Sequence, residues 1–171
     1  GYGLQVTGYK LIANIPYYLT SRLVRILLES DRCPADIFLA VQKEVAERIT
    51  ATPPRMNLLA LSVQAYAEPK ILFTVPPSAF SPRPRVSSAM VAITNIGREF
   101  FSRHRLDEKS FFRIARAGFQ GRRKTLENSL SKNLKMEKPK ILKILRACDL
   151  AGKRAEMLSL DQWALLSRTL R

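Results

Sequence analysis

The sequence predicts an α/β unit built on a partly parallel sheet, followed by a small all-helical domain. Short apolar runs alternate with helical patterns through the first half of the chain. Two later runs are joined by a proline-rich connection with no helix between them, as at an antiparallel edge. Beyond Gly97 only helical periodicity remains, which places a boundary at about 97–105 and divides the chain into residues 1–100 and 101–171.

Tyr9 to Asn14 reads as the first strand, its apolar Leu11-Ile12-Ala13 lying between Gly8 and the turn-forming Asn14-Ile15-Pro16. Thr20 or Ser21 is expected to cap the next helix, with Leu23, Ile26 and Leu27 inside and Arg22, Arg25 and Glu29 outside. Asp36 to Val41 is a second strand that runs directly into a helix over 43–50, and two apolar strands separated by a helix suggest parallel pairing with a crossover. Asn57 to Ala65 reads as a further helix, and Ile71 to Val75 and Ala89 to Ile96 as the strands around Pro76, Pro77, Pro82 and Pro84. In the second half Asp107 is placed to cap a helix through Phe119, with Phe111, Ile114, Ala115 and Phe119 on one face and Arg113, Arg116 and Gln120 on another. Pro139 suits the first turn of a helix carrying Ile141, Ile144, Leu145 and Cys148 and ending near Gly152. Ser159 and Gln162 form a capping box for the last helix, with Leu158 and Trp163 as its staple.

Composition narrows the chemistry. His104 is the only histidine, so neither a histidine-based triad nor a multi-histidine metal site can be assembled. Cys33 and Cys148 stand far apart without metal spacing, and two buried reduced thiols are expected, with no metal. No apolar stretch approaches the roughly 20 residues that cross a bilayer and no secretory signal opens the chain, which reads as soluble and cytoplasmic with no membrane partner. A monomer is expected. Lys and Arg number 29 against 14 Asp and Glu, a formal net charge of +15. Residues 97–171 hold 19 of the basic side chains and 8 of the acidic ones, so the second half is the expected phosphate-facing part.

Asn14-Ile15-Pro16-Tyr17 is the most informative string, because it stands where a parallel strand ends and ligand groups gather in open α/β sheets. An exocyclic adenine amine is a poor nucleophile, its lone pair delocalised into the ring. The Asn14 side-chain carbonyl and the Ile15 backbone carbonyl can both accept its protons and favour a pyramidal nitrogen aimed at a methyl group. Pro16 stiffens the turn, and Tyr17 offers a ring for stacking. Taken alone, the string also fits a plain proline turn after a strand.

Four ordered blocks add to it: Asn14-Ile15-Pro16-Tyr17-Tyr18; Gln42 through Arg48; Val75-Pro76-Pro77-Ser78-Ala79-Phe80-Ser81-Pro82-Arg83-Pro84-Arg85-Val86; and Phe119-Gln120-Gly121-Arg122-Arg123-Lys124-Thr125-Leu126-Glu127-Asn128-Ser129-Leu130. Together they resemble the small-subunit ribosomal RNA adenine dimethyltransferases, the kasugamycin-sensitivity family and its eukaryotic dimethylases, over nearly the whole chain. The resemblance implies the C-terminal part of a Rossmann-like class I methyltransferase sheet followed by a helical RNA-binding domain. It also implies N6,N6-dimethylation of two adjacent adenosines in the 3′-terminal hairpin loop of small-subunit (16S) ribosomal RNA, on immature 30S particles, with S-adenosylmethionine as methyl donor.

By that analogy Asn14, Ile15, Pro16 and Tyr17 hold the target amine, Asn14 also lies near the donor, and Phe80 packs on the flipped base opposite Tyr17. An ordinary core aromatic is the other reading of Phe80. Arg83, Arg85, Arg122, Arg123 and Lys124 are the phosphate-contact candidates, or else a solvated basic face. Lys43 and Arg48 flank Glu44 and Glu47 at helical spacing, which favours a structural role.

The family's Gly-rich loop and second-strand acidic residue, which hold the donor, are not found: Gly1-Tyr2-Gly3 follows no strand, and about a hundred N-terminal residues are expected to be missing. Little donor binding and no turnover are expected from this chain alone. Ser87 stands where Asp is common in the family, and Tyr18 where Asn is frequent. Two alternatives remain: a non-catalytic RNA-binding assembly factor, which the missing loop favours and the intact Asn14-Ile15-Pro16-Tyr17 opposes, and the related large-subunit adenine methyltransferases of macrolide resistance.

Overall fold

The computed structural model describes residues 8–16, 19–121 and 123–170. Its contacts divide the chain into two compact units, Gly1–Thr50 with Tyr66–Gly97 and Ala51–Ala65 with Arg98–Arg171.

The first unit holds four strands, β1 (Lys10–Asn14), β2 (Asp36–Gln42), β3 (Glu68–Val75) and β4 (Ser88–Thr94), in the order β1-β2-β4-β3. Helix α1 (Thr20–Glu29) crosses from β1 to β2, which pair in parallel as expected, and the Lys10–Asp36 ion pair at 2.8 Å spans the first rung. β3 and β4 pair antiparallel, again as expected, and β4 inserts between β3 and β2. The register places Ile37 opposite Ile93, Leu39 opposite Val91 and Val41 opposite Ala89, all of them buried. Alternation puts these residues on one sheet face, while the intervening β2 residues are only half-buried. Helix α2 (Lys43–Ile49) contributes Ala46 and Ile49 to the buried set.

Two local expectations change. The buried stripe of α1 is Thr20, Val24 and Leu28, with Leu23 and Leu27 half-buried and Ile26 exposed, because i, i+4, i+8 spacing turns the inner face away from residue 26. Nor does Thr20 or Ser21 cap it: Leu19 stands at the N-cap, and the buried Thr20 hydroxyl has no partner among the described residues. On β1, Ile12 is 76% exposed despite its apolar neighbours, since alternate residues of this strand point away from the buried face.

The second unit is helical: α3 (Leu58–Gln64), α4 (Glu99–His104), α5 (Glu108–Phe119), α6 (Leu126–Leu134), α7 (Lys138–Ala147) and α8 (Leu160–Thr169). Asn57 caps α3, its side chain accepting from the Ala60 amide at 3.0 Å. Asp107 caps α5 as expected, accepting from Ser110 N at 2.8 Å, and the Ser159–Gln162 capping box on α8 is fully formed. Leu158 and Trp163 on either side of that box are both fully buried.

Helix α7 stops at Ala147, earlier than expected. Asp149 takes the left-handed conformation there (φ 56°), and Leu150 N donates to Leu145 O at 2.8 Å, the long bond of a Schellman ending. Arg105 after α4 and Lys135 after α6 make the same ending, with Leu106 N donating to Phe101 O and Met136 N to Ser131 O. Phe100, Phe101, Phe111 and Phe112 form edge-to-face contacts, and Phe119 stacks on Trp163 at 5.2 Å. Among the described residues no helix is long and apolar enough to cross a membrane.

Candidate functional site

In the first unit the strand directions bring the site candidates to one end of the sheet. β1 and β2 both finish there, Asn14 pairing with Ala40. Gln42, the last residue of β2, faces Ser88, the first of β4, and Ser88 also faces Val75, the last of β3. The connection 76–87 therefore emerges at the same end as Asn14-Ile15-Pro16. This is the strand-terminus position where open α/β sheets bind ligands.

Asn14 is exposed, and its side chain makes no hydrogen bond to another described residue. Pro16 O accepts from Leu19 N at 3.0 Å, so the turn into α1 is closed through Pro16, and no other described residue donates to the Ile15 carbonyl. Among the described residues, then, neither of the two oxygens that the sequence singled out receives a hydrogen bond. Tyr17 and Tyr18 lie outside the described residues.

Phe80 is half-buried and follows a single 3-10 turn, Pro77–Ala79, in which Ala79 N donates to Pro76 O and Phe80 N to Pro77 O. It is not one of the fully covered core aromatics such as Phe111. Arg83 and Arg85 on the same connection are exposed and make no ion pair with a described residue. Beside them Lys43 N donates to Ser87 O at 3.0 Å, and a hollow of about 330 Å³ is lined by Gln42, Lys43, Glu44, Glu47, Val86 and Ser87. Lys43 pairs with Glu47 at 3.8 Å, both side chains being more than half exposed.

In the second unit Arg123 and Lys124 are exposed in the turn from α5 to α6, where Lys124 N donates to Gly121 O at 2.8 Å; Arg122 lies outside the described residues. Two hollows on this surface were not foreseen. One, of about 360 Å³, is lined by Arg113, Arg116, Ala117, Gln120, Asn133, Leu134 and Lys135. The other, of about 220 Å³, has Gln120, Gly121, Lys124, Asn128, Ser129, Lys132 and Asn133 around it. The i, i+3 spacing of Arg113 and Arg116 was the available signal for the first. Ser129 falls in the fourth ordered block, but nothing there distinguishes it from its neighbours. Among the described residues no cluster of three His, Cys, Asp or Glu side chains is placed to hold a metal ion. Both cysteines are unpaired, Cys148 buried and Cys33 only half-buried, since Cys33 sits in the connection before β2.

A family model described as Ribosomal RNA adenine dimethylase matches residues 5–167. The chain belongs to that family. Among curated relatives, Ribosomal RNA small subunit methyltransferase A of Dehalococcoides mccartyi (strain CBDB1) is 43% identical over 163 residues, covering 95% of this chain and 55% of the relative. The protein of the same name from Halothermothrix orenii is 40% identical over 173 residues, covering 98% and 57%. The chain thus spans about half the length of the curated relatives it matches. A dimethyladenosine transferase from Plasmodium falciparum superposes with a TM-score of 0.77 at 23% identity, covering 96% of this chain and 67% of that one. The 23S rRNA methyltransferase ErmE does so at 0.69 and 20% identity, covering 96% and 66%. The fold expected of this chain, a Rossmann-like α/β part followed by helices, is the fold these neighbours share.

Proposed function

We propose that the full-length protein carrying this chain dimethylates N6 of two adjacent adenosines in the 3′-terminal hairpin loop of small-subunit ribosomal RNA. It acts as a cytoplasmic monomer on immature 30S particles. Family membership supports the reaction class, and the curated relatives named as small-subunit methyltransferases support the choice of subunit. The single observation that carries the site is the open pair of acceptors at the end of β1, the exposed Asn14 amide and the Ile15 carbonyl that receives no bond from a described residue.

In this reading the two oxygens accept hydrogen bonds from the two N–H groups of the adenine amine, which localises the nitrogen lone pair for in-line attack; as the N–CH3 bond forms the S–CH3 bond breaks, and the methylated nitrogen then releases one proton to solvent. Pro16 fixes the direction of the turn, and its own carbonyl is occupied by Leu19 N, so it does not compete for the amine. Tyr17 and Phe80 hold the extruded base between two rings. S-adenosylmethionine supplies the methyl group from its sulfonium centre. Of the residues in this chain Asn14 is the candidate contact to it. Arg83, Arg85, Arg122, Arg123 and Lys124 neutralise RNA phosphates.

The test is methyl transfer from labelled donor to immature 30S particles by the full-length protein. Asn14→Ala is expected to abolish transfer while particle binding stays nearly intact. Transfer at the parental rate by that variant would refute the assignment.

A further inference from the structure

We propose that the two hollows between α5 and α6 form one track for the RNA backbone, and that the smaller of them is a built subsite for a single phosphodiester. The ligand class rests on the functional reading above; the site itself rests on the following geometry.

The hollows share Gln120 and Asn133, so they adjoin along one surface. Asn133 Nδ2 donates to Ala117 O at 2.9 Å, which ties α6 to α5 and fixes the wall common to both. Around this surface stand Arg113, Arg116, Lys124, Lys132 and Lys135, every one exposed. Acid is nearly absent: over residues 109–136 the sequence holds eight Lys or Arg and one acidic residue, Glu127. Glu127 is engaged by Lys138 at 3.3 Å, and among the described residues no carboxylate forms an ion pair with Arg113, Arg116, Lys124, Lys132 or Lys135. Arg116 is also held in place, its Nε donating to Phe112 O at 3.0 Å.

A second, independent observation turns a basic surface into a site. Ser129 lines the smaller hollow at 2% exposure, and its Oγ has no hydrogen-bond partner among the described residues. A buried hydroxyl without a partner is unfavourable, and alanine at this helical position would remove that cost. Gly121 packs directly against it, because a Cβ at residue 121 would stand 2.5 Å from Ser129 Oγ. The hollow thus brings the Ser129 hydroxyl together with Lys124 and Lys132 in one lining, a set of donors that a phosphate oxygen accepts from. Arg113, Arg116 and Lys135 continue the positive lining along the larger hollow.

Charge and hydroxyl give different signatures in salt titrations, which makes the inference testable. Binding of a fluorescein-labelled RNA hairpin to the full-length protein is followed by anisotropy across a salt series, with urea midpoints confirming that each variant is folded. Losing one phosphate contact lowers the slope of log K against log salt by about 0.7 to 0.9. Lys132→Ala is expected to show that change. Ser129→Ala is expected to weaken binding about tenfold at every salt concentration with the slope unaltered, because no charge is removed. A parental slope for Lys132→Ala, or parental affinity for Ser129→Ala, overturns the subsite. Inorganic phosphate titrated at constant ionic strength separates the sources: competition equal to that of an unlabelled RNA competitor at matched phosphate would mark a general anion site and also overturn the proposal. Failure of the methylation reading is seen separately, because Asn14→Ala affects transfer and leaves these slopes in place.

Discussion

Gly118 lies inside α5, where alanine ordinarily stabilises a helix by about 0.5–1 kcal/mol through a lower backbone entropy cost. Here the opposite sign is expected. A Cβ at residue 118 would stand 2.5 Å from Trp163 Cη2 and 3.2 Å from both Trp163 Cζ3 and Leu126 Cδ2. The indole has no room to retreat, being fully buried and stacked on Phe119 at 5.2 Å and 26°. Overpacking of this kind costs about 1–3 kcal/mol, and a contact this short against a rigid ring belongs at the upper end. Set against the helical gain, Gly118→Ala should lose about 2 kcal/mol, a fall in Tm of about 4–8 °C for a chain of this size. Guanidinium unfolding followed by the fluorescence of Trp163, the chain's single tryptophan, measures it. Trp163→Phe, followed by circular dichroism, supplies the other side of a double-mutant cycle. Removing the benzo ring should make Gly118→Ala far less costly in that background. An equal or higher midpoint for Gly118→Ala in the parental background would show the reasoning to be wrong.

Two further outcomes concern helix ends. Asp107→Ala removes the acceptor for Ser110 N and should cost about 1 kcal/mol in a urea melt. Arg105→Gly should raise stability by about 0.5–1 kcal/mol, because φ 52° strains a residue with a Cβ and suits glycine, and an unchanged urea midpoint would count against strain at this turn.

The elements read most securely from the sequence were those whose signal is local. Alternating apolar runs gave β2 and β4 to within a residue or two, and the Asp107 and Ser159 caps were legible because capping chemistry depends on neighbours three positions apart. Helix stops were harder. The usual marker is glycine, yet Arg105, Lys135 and Asp149 hold the left-handed positions here, each secured by a long backbone bond that no side chain announces. Helix α6 escaped notice because its inner face includes Ser129 between Leu126 and Leu130, which weakens the apolar stripe. The inner face of α1 was placed one strip too far round, since Ile26 looks apolar in sequence and its exposure depends on what surrounds it. At the site, Asn14-Ile15-Pro16 could be read as a motif on a strand end, whereas the pairing that brings 76–87 to the same end comes from β4 inserting between β2 and β3, a long-range choice.

The passage of residues 51–65 into the helical unit has a bearing on how such proteins can be recombined. Helix α3 buries Ala60, Leu61 and Val63 there, and Met56 N donates to Glu156 O at 3.1 Å. A single genetic crossover near residue 97 would transfer the later helices and leave this segment behind, exchanging part of an apolar core for one drawn from another lineage. Inheritance of the helical unit as a working whole therefore requires two separated stretches of coding sequence to travel together, and a chimera that moves both should fold where one that moves only the tail should not.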